Sequence, residues 1–366
     1  MTEAFIPPAK PIIGDEEREA VDRVLRSGMV AQGPEVAAFE AEFAEVIAGG
    51  RVSVAVNSGT SGLHLGLLAA GIGPGDEVIV PSFTFAATAN SVALSGATPV
   101  FADIEPEQFT LSAEAVEAAI TPRTAAVMPV HLYGHPAAMH ELGAVADKHG
   151  IAVFEDAAQA HAAELDGRRV GTFGSFAMFS LYPTKNMTSG EGGMVSCATP
   201  EIERMMRLLR NQGMERQYAN EVIGFNARMT DIHAAIGRVQ LTKIDGWTEA
   251  RRANAAFLDR ELRGVTVPPV APGAKHVYHQ YTIRVADDRD GFAAALREEH
   301  NVGSGVYYPI PNHRLASLER YAPGLDLPET ERAAAEVVSL PVHPSLGQAE
   351  LDRIVNAVNA VAGAGA

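Results

Sequence analysis

The residues best suited to chemistry in this chain are a lysine and an aspartate, Lys185 and Asp156, which lie twenty-nine positions apart. Lys185 follows an apolar run and precedes a glycine-rich turn in GSFAMFSLYPTKNMTSGEGGMV. Asp156 follows an apolar strand in IAVFEDAAQAHAAEL, at the carboxyl end where α/β sheets place ligand-contacting groups. A lysine that loses its proton can attack an aldehyde, and a carboxylate can keep a heterocyclic nitrogen protonated. Pyridoxal phosphate (PLP) requires both groups, so the pair predicts a PLP site.

Each of the two residues also has an ordinary structural interpretation. Most lysines are solvated surface charges, and most acidic pairs at the end of a strand are caps or turn formers. The catalytic interpretation therefore depends on the combination of Lys185 with Asp156 and on a further element that could hold a phosphate.

A candidate phosphate site lies in RVSVAVNSGTSGLHLGLLAAG, which reads as a strand, a polar glycine turn and an apolar-periodic helix. The backbone N–H groups and hydroxyls of residues 57–62 would stand at the helix N-terminus, which attracts anions. Ser58 taken alone is better explained as an N-cap. The hydroxyl of Ser180, five residues before Lys185, could complete the phosphate site.

The elements that must position these residues alternate between short apolar strands and helical patterns. This alternation predicts a mostly parallel sheet covered by helices on both faces. The seven strand candidates are residues 52–56, 77–80, 98–102, 125–130, 152–154, 175–179 and 193–197.

A helical pattern from about residue 229 to residue 262 leads into a smaller α+β unit. There the alternation in HVYHQYTIRV predicts a strand, a second strand is expected at residues 305–308, and helices are expected near Asp290 and Gln348. We therefore expect an α/β protein with a large domain at residues 1–245 and a small C-terminal domain at residues 246–366.

The amino-acid composition argues against several classes of function. The 366 residues are 47% hydrophobic and carry a formal net charge of −16, which argues against nucleic-acid binding because that function needs a broad basic surface. Cys197 is the only cysteine, so no internal disulfide can form. No apolar run has membrane-spanning length and no apolar signal segment precedes Phe5, so we expect a cytoplasmic enzyme without membrane contact.

Eight blocks, in order along the chain, resemble the DegT/DnrJ/StrS family of PLP-dependent sugar aminotransferases. They are SGMVAQGPEVAAFEAEFA, NSGTSGLHLGL, GDEVIVPSFTFAATAN, VMPVHLYGHP, FEDAAQAHAAEL, FSLYPTKNMTSGEGGMV, GFNARMTDIHAAIGRVQL and HVYHQYTIRV. An ordered set of blocks is far more specific than a single short motif. The resemblance implies a fold type I (aspartate aminotransferase-like) scaffold, with a mostly parallel seven-stranded sheet and a smaller α+β C-terminal domain.

The resemblance also implies a role for each matching residue. Lys185 would hold PLP covalently and then act as the base, and Asp156 would pair with the ring nitrogen. Gln159 would lie near the 3′ oxygen of the ring, presented by a short helix beginning at Asp156, and Phe85 would stack on the ring face. The phosphate would be bound by Gly59, Thr60, Ser61 and Ser180.

Other residues carried over from the resemblance lie elsewhere in the sequence. Asn226 and Arg228, in the GFNAR segment, would complete the phosphate site of a neighbouring subunit, which implies a homodimer with shared active sites. His313 resembles the family's substrate-proximal histidine. The family usually has His-Gly where this chain has His161-Ala162, a change that we expect to adjust a turn rather than the chemistry.

The sequence thus predicts a PLP-dependent aminotransferase acting on a keto group, at C3 or C4, of a nucleotide-activated hexose, with L-glutamate as the expected donor. Relatives in which histidine replaces the lysine are keto-sugar dehydratases, so Lys185 favours transamination. Two alternatives stay open: an amino-cyclitol transaminase acting on scyllo-inosose, and a PLP-binding regulatory protein that turns nothing over. No metal is expected, because His276 and His279 have no cysteine or carboxylate partner nearby.

Overall fold

The computed structural model describes residues 4–364. Its strands are β1 (Ser53–Val56), β2 (Glu77–Pro81), β3 (Thr98–Ala102), β4 (Thr124–Val127), β5 (Ala152–Asp156), β6 (Glu164–Leu165), β7 (Arg168–Arg169), β8 (Phe176–Ser180), β9 (Gly193–Cys197), β10 (Met214–Arg216), β11 (Ala219–Asn220), β12 (Ala274–Lys275), β13 (Tyr281–Arg284) and β14 (Val337–Leu340). Its α-helices are α1 (Asp15–Ser27), α2 (Pro34–Val46), α3 (Gly59–Ala69), α4 (Ala87–Leu94), α5 (Ala113–Ala119), α6 (Met139–His149), α7 (Pro200–Arg210), α8 (Asp231–Leu241), α9 (Ile244–Glu261), α10 (Arg289–Glu298), α11 (Pro328–Glu336) and α12 (Gln348–Ala364).

The central sheet has seven strands in the order β1-β9-β8-β5-β4-β2-β3. Only β9 runs against its neighbours, so the predicted α/β fold with a mostly parallel sheet is confirmed. All of β1, β2, β8 and β9 are buried, as expected for strands covered by helices on both faces. One face packs on an apolar core that includes Leu63 and Phe176, and the other on a core that includes Phe39 and Phe179.

Strand direction determines where the site forms. Strands β5 and β8 are parallel, with Asp156 opposite Met178, so Asp156 and Ser180 end at the same edge of the sheet. Strand β9 is antiparallel to both β8 and β1, and Gly193 pairs with Ser180 on one side and with Val56 on the other. The polar turn that follows β1 therefore lies at that edge too, beside the residues that follow β5 and β8.

The C-terminal unit has its own core, built from β13, β14 and helices α9, α10 and α12. Tyr281, Leu296 and Ile354 are fully buried in it, and so is Ile6 from the N-terminal segment. The proposed boundary between residues 245 and 246 falls within the first turn of α9. No helix in the described part of the chain combines the length and the apolar character needed to cross a membrane.

The single long helix expected over residues 229–262 is wrong, because α8 ends at Leu241 and α9 begins at Ile244. Thr242 donates a hydrogen bond from its hydroxyl to the Val239 carbonyl at 2.7 Å, and the Lys243 amine donates to Glu17 at 2.8 Å. Neither glycine nor proline stands at the break, so the sequence pattern does not reveal it.

The strand expected at residues 305–308 is also wrong, since only an isolated bridge joins Gly305 to Ser339. In HVYHQYTIRV only β13 is a strand. The backbone before it turns at Tyr278, with φ of +44°, and the Val277 and Gln280 N–H groups donate to the loop at residues 133–134. These loop-to-loop bonds replace the extended pairing that the alternating pattern predicted.

The His161-Ala162 dipeptide lies in a turn whose backbone is strained. Ala162 has φ of +64°, in the left-handed region that glycine occupies readily and that costs other residues about 1–2 kcal/mol. The family's usual glycine suits this position, so the alanine adds strain to a turn without adding a reactive group.

Replacing Ala162 with glycine should therefore raise the free energy of unfolding by about 1 kcal/mol, because the relief of strain exceeds the extra entropy of the unfolded chain. Urea denaturation measures the change. Ala163→Gly is the matched control, since Ala163 is fully buried and lies outside the left-handed region, and it should lower stability. Equal destabilisation by both variants would contradict the assignment of strain to Ala162.

Candidate active site

A cavity of about 370 Å³ opens at the carboxyl edge of the sheet, large enough for a small-molecule ligand. Seven of the residues proposed from the sequence line it: Gly59, Thr60, Phe85, Asp156, Gln159, Ser180 and Lys185. The structure thus brings together, from four separate segments, most of the residues that the sequence assigned to one site.

The polar turn after β1 forms the first side of the cavity. Ser58 is the N-cap of α3, accepting a hydrogen bond from the Ser61 N–H at 3.1 Å and donating its own hydroxyl to Ser61 at 2.9 Å. Ser58 is therefore both a cap and a lining residue, whereas the Ser61 hydroxyl is engaged with Ser58. A Cβ on Gly59 would stand 3.2 Å from the Ser180 Cβ, so glycine lets the turn approach β8 closely.

Asp156, the last residue of β5, is only 4% exposed. Its Oδ2 accepts a hydrogen bond from the Thr88 hydroxyl at 2.7 Å and its Oδ1 accepts one from the Ala158 N–H at 3.1 Å. Burial raises the pKa of Asp156, while the two hydrogen bonds and the positive charge of Lys185 oppose that rise. The carboxylate is thus enclosed with neutral donors, in a setting that favours a cationic ligand.

Lys185 lies in the loop between β8 and β9, and several bonds hold that loop in place. The Lys185 N–H donates to the Tyr182 carbonyl at 3.0 Å, and the neighbouring Asn186 side chain donates to the Val277 carbonyl at 3.0 Å. Burial of the amine lowers the pKa of Lys185 to about 8, although the charge of Asp156 acts to raise it. Roughly one amine in ten is then neutral at pH 7, far more than for an ordinary lysine.

Gln159 follows Asp156 through a turn, so the short helix expected to begin at Asp156 is wrong. The Gln159 Oε1 accepts a hydrogen bond from the Tyr133 N–H at 2.7 Å, and its Nε2 donates to the Tyr308 hydroxyl at 2.8 Å. The side chain still reaches the cavity because the turn, rather than a helix, directs it there.

Phe85 is 63% exposed although its periodicity in the sequence is that of a core residue. Its ring lines the cavity, and so large an exposed aromatic surface beside a cavity is suited to stacking on a flat ligand.

Four proposed residues do not line this cavity: Ser61, Asn226, Arg228 and His313. Arg228 donates to the Asn211 side chain at 2.9 Å, and exposed Asn226 pairs with Asn211 through its backbone. His313 is 1% exposed, with Nδ1 2.7 Å from the Ser82 hydroxyl and Nε2 3.1 Å from Glu331. Both ring nitrogens of His313 are therefore engaged by side chains outside the cavity lining.

His131, which follows β4, and His161, which follows β5, are both fully buried. His131 is 3.1 Å from Glu155, which also accepts hydrogen bonds from the Gly171 and Gly174 N–H groups, so this pair fixes a turn behind the site. Neither ring nitrogen of His161 has a hydrogen-bond partner within residues 4–364, and burial lowers its pKa to about 3. In the same residues no three side chains of the metal-binding types converge.

Several residues that line the cavity or bond to its lining residues were not predicted from the sequence. Thr88 bonds Asp156 across 68 positions, and His279, Gln280, Tyr307 and Tyr308 reach the cavity from the C-terminal unit. Thr88 lies three residues after Phe85, within a block used for the resemblance, which is the one signal that could have singled it out. Tyr307 and Tyr308 precede Pro309 in the segment that the sequence pattern predicted to be a strand, so their place at the cavity was not expected.

Comparison with known proteins places the chain in a family. Residues 11–359 match the model of the DegT/DnrJ/EryC1/StrS aminotransferase family. The chain belongs to this family. The resemblance seen in the eight sequence blocks is thereby confirmed, as are the aminotransferase class and the predicted fold.

Individual relatives match along nearly their whole length. The chain is 42% identical over 348 residues to the dTDP-3-amino-3,4,6-trideoxy-alpha-D-glucose transaminase of Streptomyces venezuelae, covering 94% of this chain and 91% of that protein. It is 41% identical over 352 residues to the pleiotropic regulatory protein of Geobacillus stearothermophilus, covering 94% and 93%. The X-ray structure of S. venezuelae DesV in complex with a ketimine intermediate superposes with a TM-score of 0.92, at 40% identity and with coverage of 98% and 99%.

Proposed function

We propose that this chain is a PLP-dependent aminotransferase that moves an amino group from L-glutamate to a keto group, at C3 or C4, of a nucleotide-linked hexose. The observation that carries the proposal is one cavity holding a lysine whose pKa lies near 8 and a buried carboxylate bonded only by neutral donors. Such a pair can hold an aldehyde cofactor at one end and its ring nitrogen at the other.

The side chains of the cavity fit PLP. The turn at Gly59 and Thr60, with Ser180 beside it, offers hydroxyls and a helix N-terminus to a phosphate. Asp156 would hold the protonated ring nitrogen, and Phe85 offers an aromatic face. When bound, PLP supplies an aldehyde that captures amines and a protonated ring that withdraws electrons from the captured group.

Lys185 performs two tasks in this proposal. Its neutral amine is the nucleophile that attaches the cofactor, and once displaced it is the base that takes the donor's α-proton and returns a proton to the acceptor. A base is most effective when its pKa lies near the working pH, and burial brings Lys185 there. Asp156 assists by keeping a positive charge on the ring, which lowers the cost of removing that proton.

The acceptor class rests on the relatives and on the charge of the cavity. The S. venezuelae relative is named as a transaminase of a dTDP-linked sugar, and this chain matches it over 94% of its length. Among the described lining residues Lys185 is the only Lys or Arg. A nucleotide diphosphate would therefore need polar and backbone donors, or cations from a second copy of the chain.

The same shortage of cations supports a homodimer with shared sites. Asn226 and Arg228 lie outside their own chain's cavity, and the large side chains of Tyr218 and Ile223, a few residues earlier in the sequence, are 88% and 92% exposed. Apolar side chains exposed in this way mark a contact surface. We propose that a second copy covers them and that each copy supplies Asn226 and Arg228 to the other's phosphate site. The enzyme would work in the cytoplasm.

A regulatory role without turnover is the second candidate, because one relative of 41% identity is named a pleiotropic regulatory protein. It differs from the first in a measurable respect, since a regulator would keep PLP without transferring an amino group. No feature of the cavity separately favours an amino-cyclitol acceptor.

The PLP-loaded protein mixed with L-glutamate should lose its visible absorbance and form pyridoxamine phosphate and 2-oxoglutarate, because the α-proton of the donor is transferred by Lys185. Lys185→Ala should lose the lysine-linked visible absorbance and at least about a thousandfold in turnover, the loss typical of a missing nucleophile and base.

The control for that experiment is Lys148→Ala, which removes an exposed lysine paired with Glu117 and should retain full activity. Circular dichroism should show both variants folded. A wild-type protein that binds PLP and forms no pyridoxamine phosphate would support the regulatory candidate, and an active Lys185→Ala variant would overturn the proposal altogether.

Shared sites predict complementation between two inactive variants. Lys185→Ala and Asn226→Asp disable the same site from different subunits, so a heterodimer of the two chains contains one site with both residues intact. Purified with separable tags, that heterodimer should recover about half of the wild-type activity, whereas each parental homodimer stays inactive. Asp at position 226 would repel a phosphate. A verified heterodimer without activity would show that each site is built within one chain.

A further inference from the structure

At the edge of the cavity, two consecutive hydrogen bonds link the Tyr133 backbone, the Gln159 amide and the Tyr308 hydroxyl, and the donor in each bond is determined. A backbone N–H can only donate, so the 2.7 Å contact between the Tyr133 N–H and Gln159 identifies the Gln159 atom there as the amide oxygen. The amide nitrogen must then face Tyr308, to whose hydroxyl oxygen it donates at 2.8 Å. The orientation of the Gln159 amide is thus fixed by the backbone.

The fixed amide determines what Tyr308 can do. Because the Tyr308 oxygen accepts from Gln159, its hydroxyl hydrogen is free to donate elsewhere. Both side chains line the cavity. Burial also raises the pKa of Tyr308, so the hydroxyl keeps its hydrogen across the working pH range.

The backbone and the neighbouring rings hold Tyr308 in place. Its φ is +60°, a left-handed conformation that a bulky residue adopts only where its surroundings require it. Its ring stacks on Tyr133 with centroids 6.3 Å apart and an interplanar angle of 14°, and Phe83 meets it edge-on at 5.7 Å. Tyr308 comes from the C-terminal unit and Gln159 from the loop after β5, so their bond also joins the two parts of the chain.

We propose that Tyr308 donates a hydrogen bond to the 3′ oxygen of the PLP ring, beside the remaining N–H of Gln159. The inference rests on the proposed function and on the position that the family resemblance implies for Gln159, near that oxygen. Two donors whose polar atoms are 2.8 Å apart, both at the cavity wall, can converge on one acceptor. Their combined effect would be to withdraw charge from the oxygen, so that it holds a neighbouring proton less strongly.

The test is the pH midpoint of the visible absorbance of the PLP-loaded protein, which depends on that proton and not on turnover. Tyr308→Phe keeps the stacked ring and removes only the hydroxyl, so the midpoint should rise by about one pH unit, the effect of one hydrogen bond to a charged oxygen. Tyr133→Phe is the matched control. It removes the hydroxyl of the other ring in the stack, which does not line this cavity, and the midpoint should stay unchanged.

The same Tyr308 substitution made in a Gln159→Glu protein tests whether the effect depends on the direction of the Gln159–Tyr308 bond. Gln159→Glu replaces the amide nitrogen with a carboxylate oxygen, so Tyr308 must donate to residue 159 and its hydrogen leaves the cavity. Adding Tyr308→Phe to Gln159→Glu should then move the midpoint by less than about 0.3 unit. An unchanged midpoint in Tyr308→Phe alone, or equal shifts in the two backgrounds, would overturn the inference. Bleaching of the wild type by L-glutamate in the same preparation tests the proposed function separately.

Discussion

The site depends on enclosing two groups that water would otherwise keep charged, the amine of Lys185 and the carboxylate of Asp156, in a single cavity. Burial acts on them in opposite directions, lowering the pKa of Lys185 to about 8 and raising that of Asp156. Each also partly restores the charge of the other, since opposite charges in a poorly solvated space attract. Thr88 and Ala158 bond the carboxylate but carry no charge that would neutralise it. The lysine is thereby available as a nucleophile and the carboxylate as a partner for a cation.

The sheet makes this enclosure possible. Because β1, β5 and β8 all run towards one edge, the polar turn after β1, Asp156 and Ser180 meet there without any long-range signal in the sequence. The residues contributed by the C-terminal unit then close the cavity from the other side. Tyr308 illustrates the coupling, since its bond to Gln159 ties that unit to the loop after β5. A change in the packing of the C-terminal unit against the large domain would consequently move Tyr308 and Gln159 at the cavity.

The part of this site that follows from local pattern was predictable. Lys185, Asp156 and the turn at Gly59 each sit next to an apolar strand or a helix start, and a parallel sheet brings strand ends together whatever their distance in sequence. Contacts between remote segments were not predictable in that way. Thr88 meets Asp156 across 68 positions and Tyr308 meets Gln159 across 149, and the positive φ of Tyr308 is not marked by a glycine. The break after Leu241 likewise has no glycine or proline to mark it.

The most direct test of this account is the pKa of the Lys185 amine, measured as the pH midpoint of the rate at which the apoprotein captures PLP. The wild type should give a midpoint near 8. Asp156→Asn should give a lower midpoint, because removing the negative charge removes the one interaction that opposes burial of the ammonium. A wild-type midpoint near 10.5, the ordinary value for lysine, would contradict the account, and so would a midpoint that rises in Asp156→Asn.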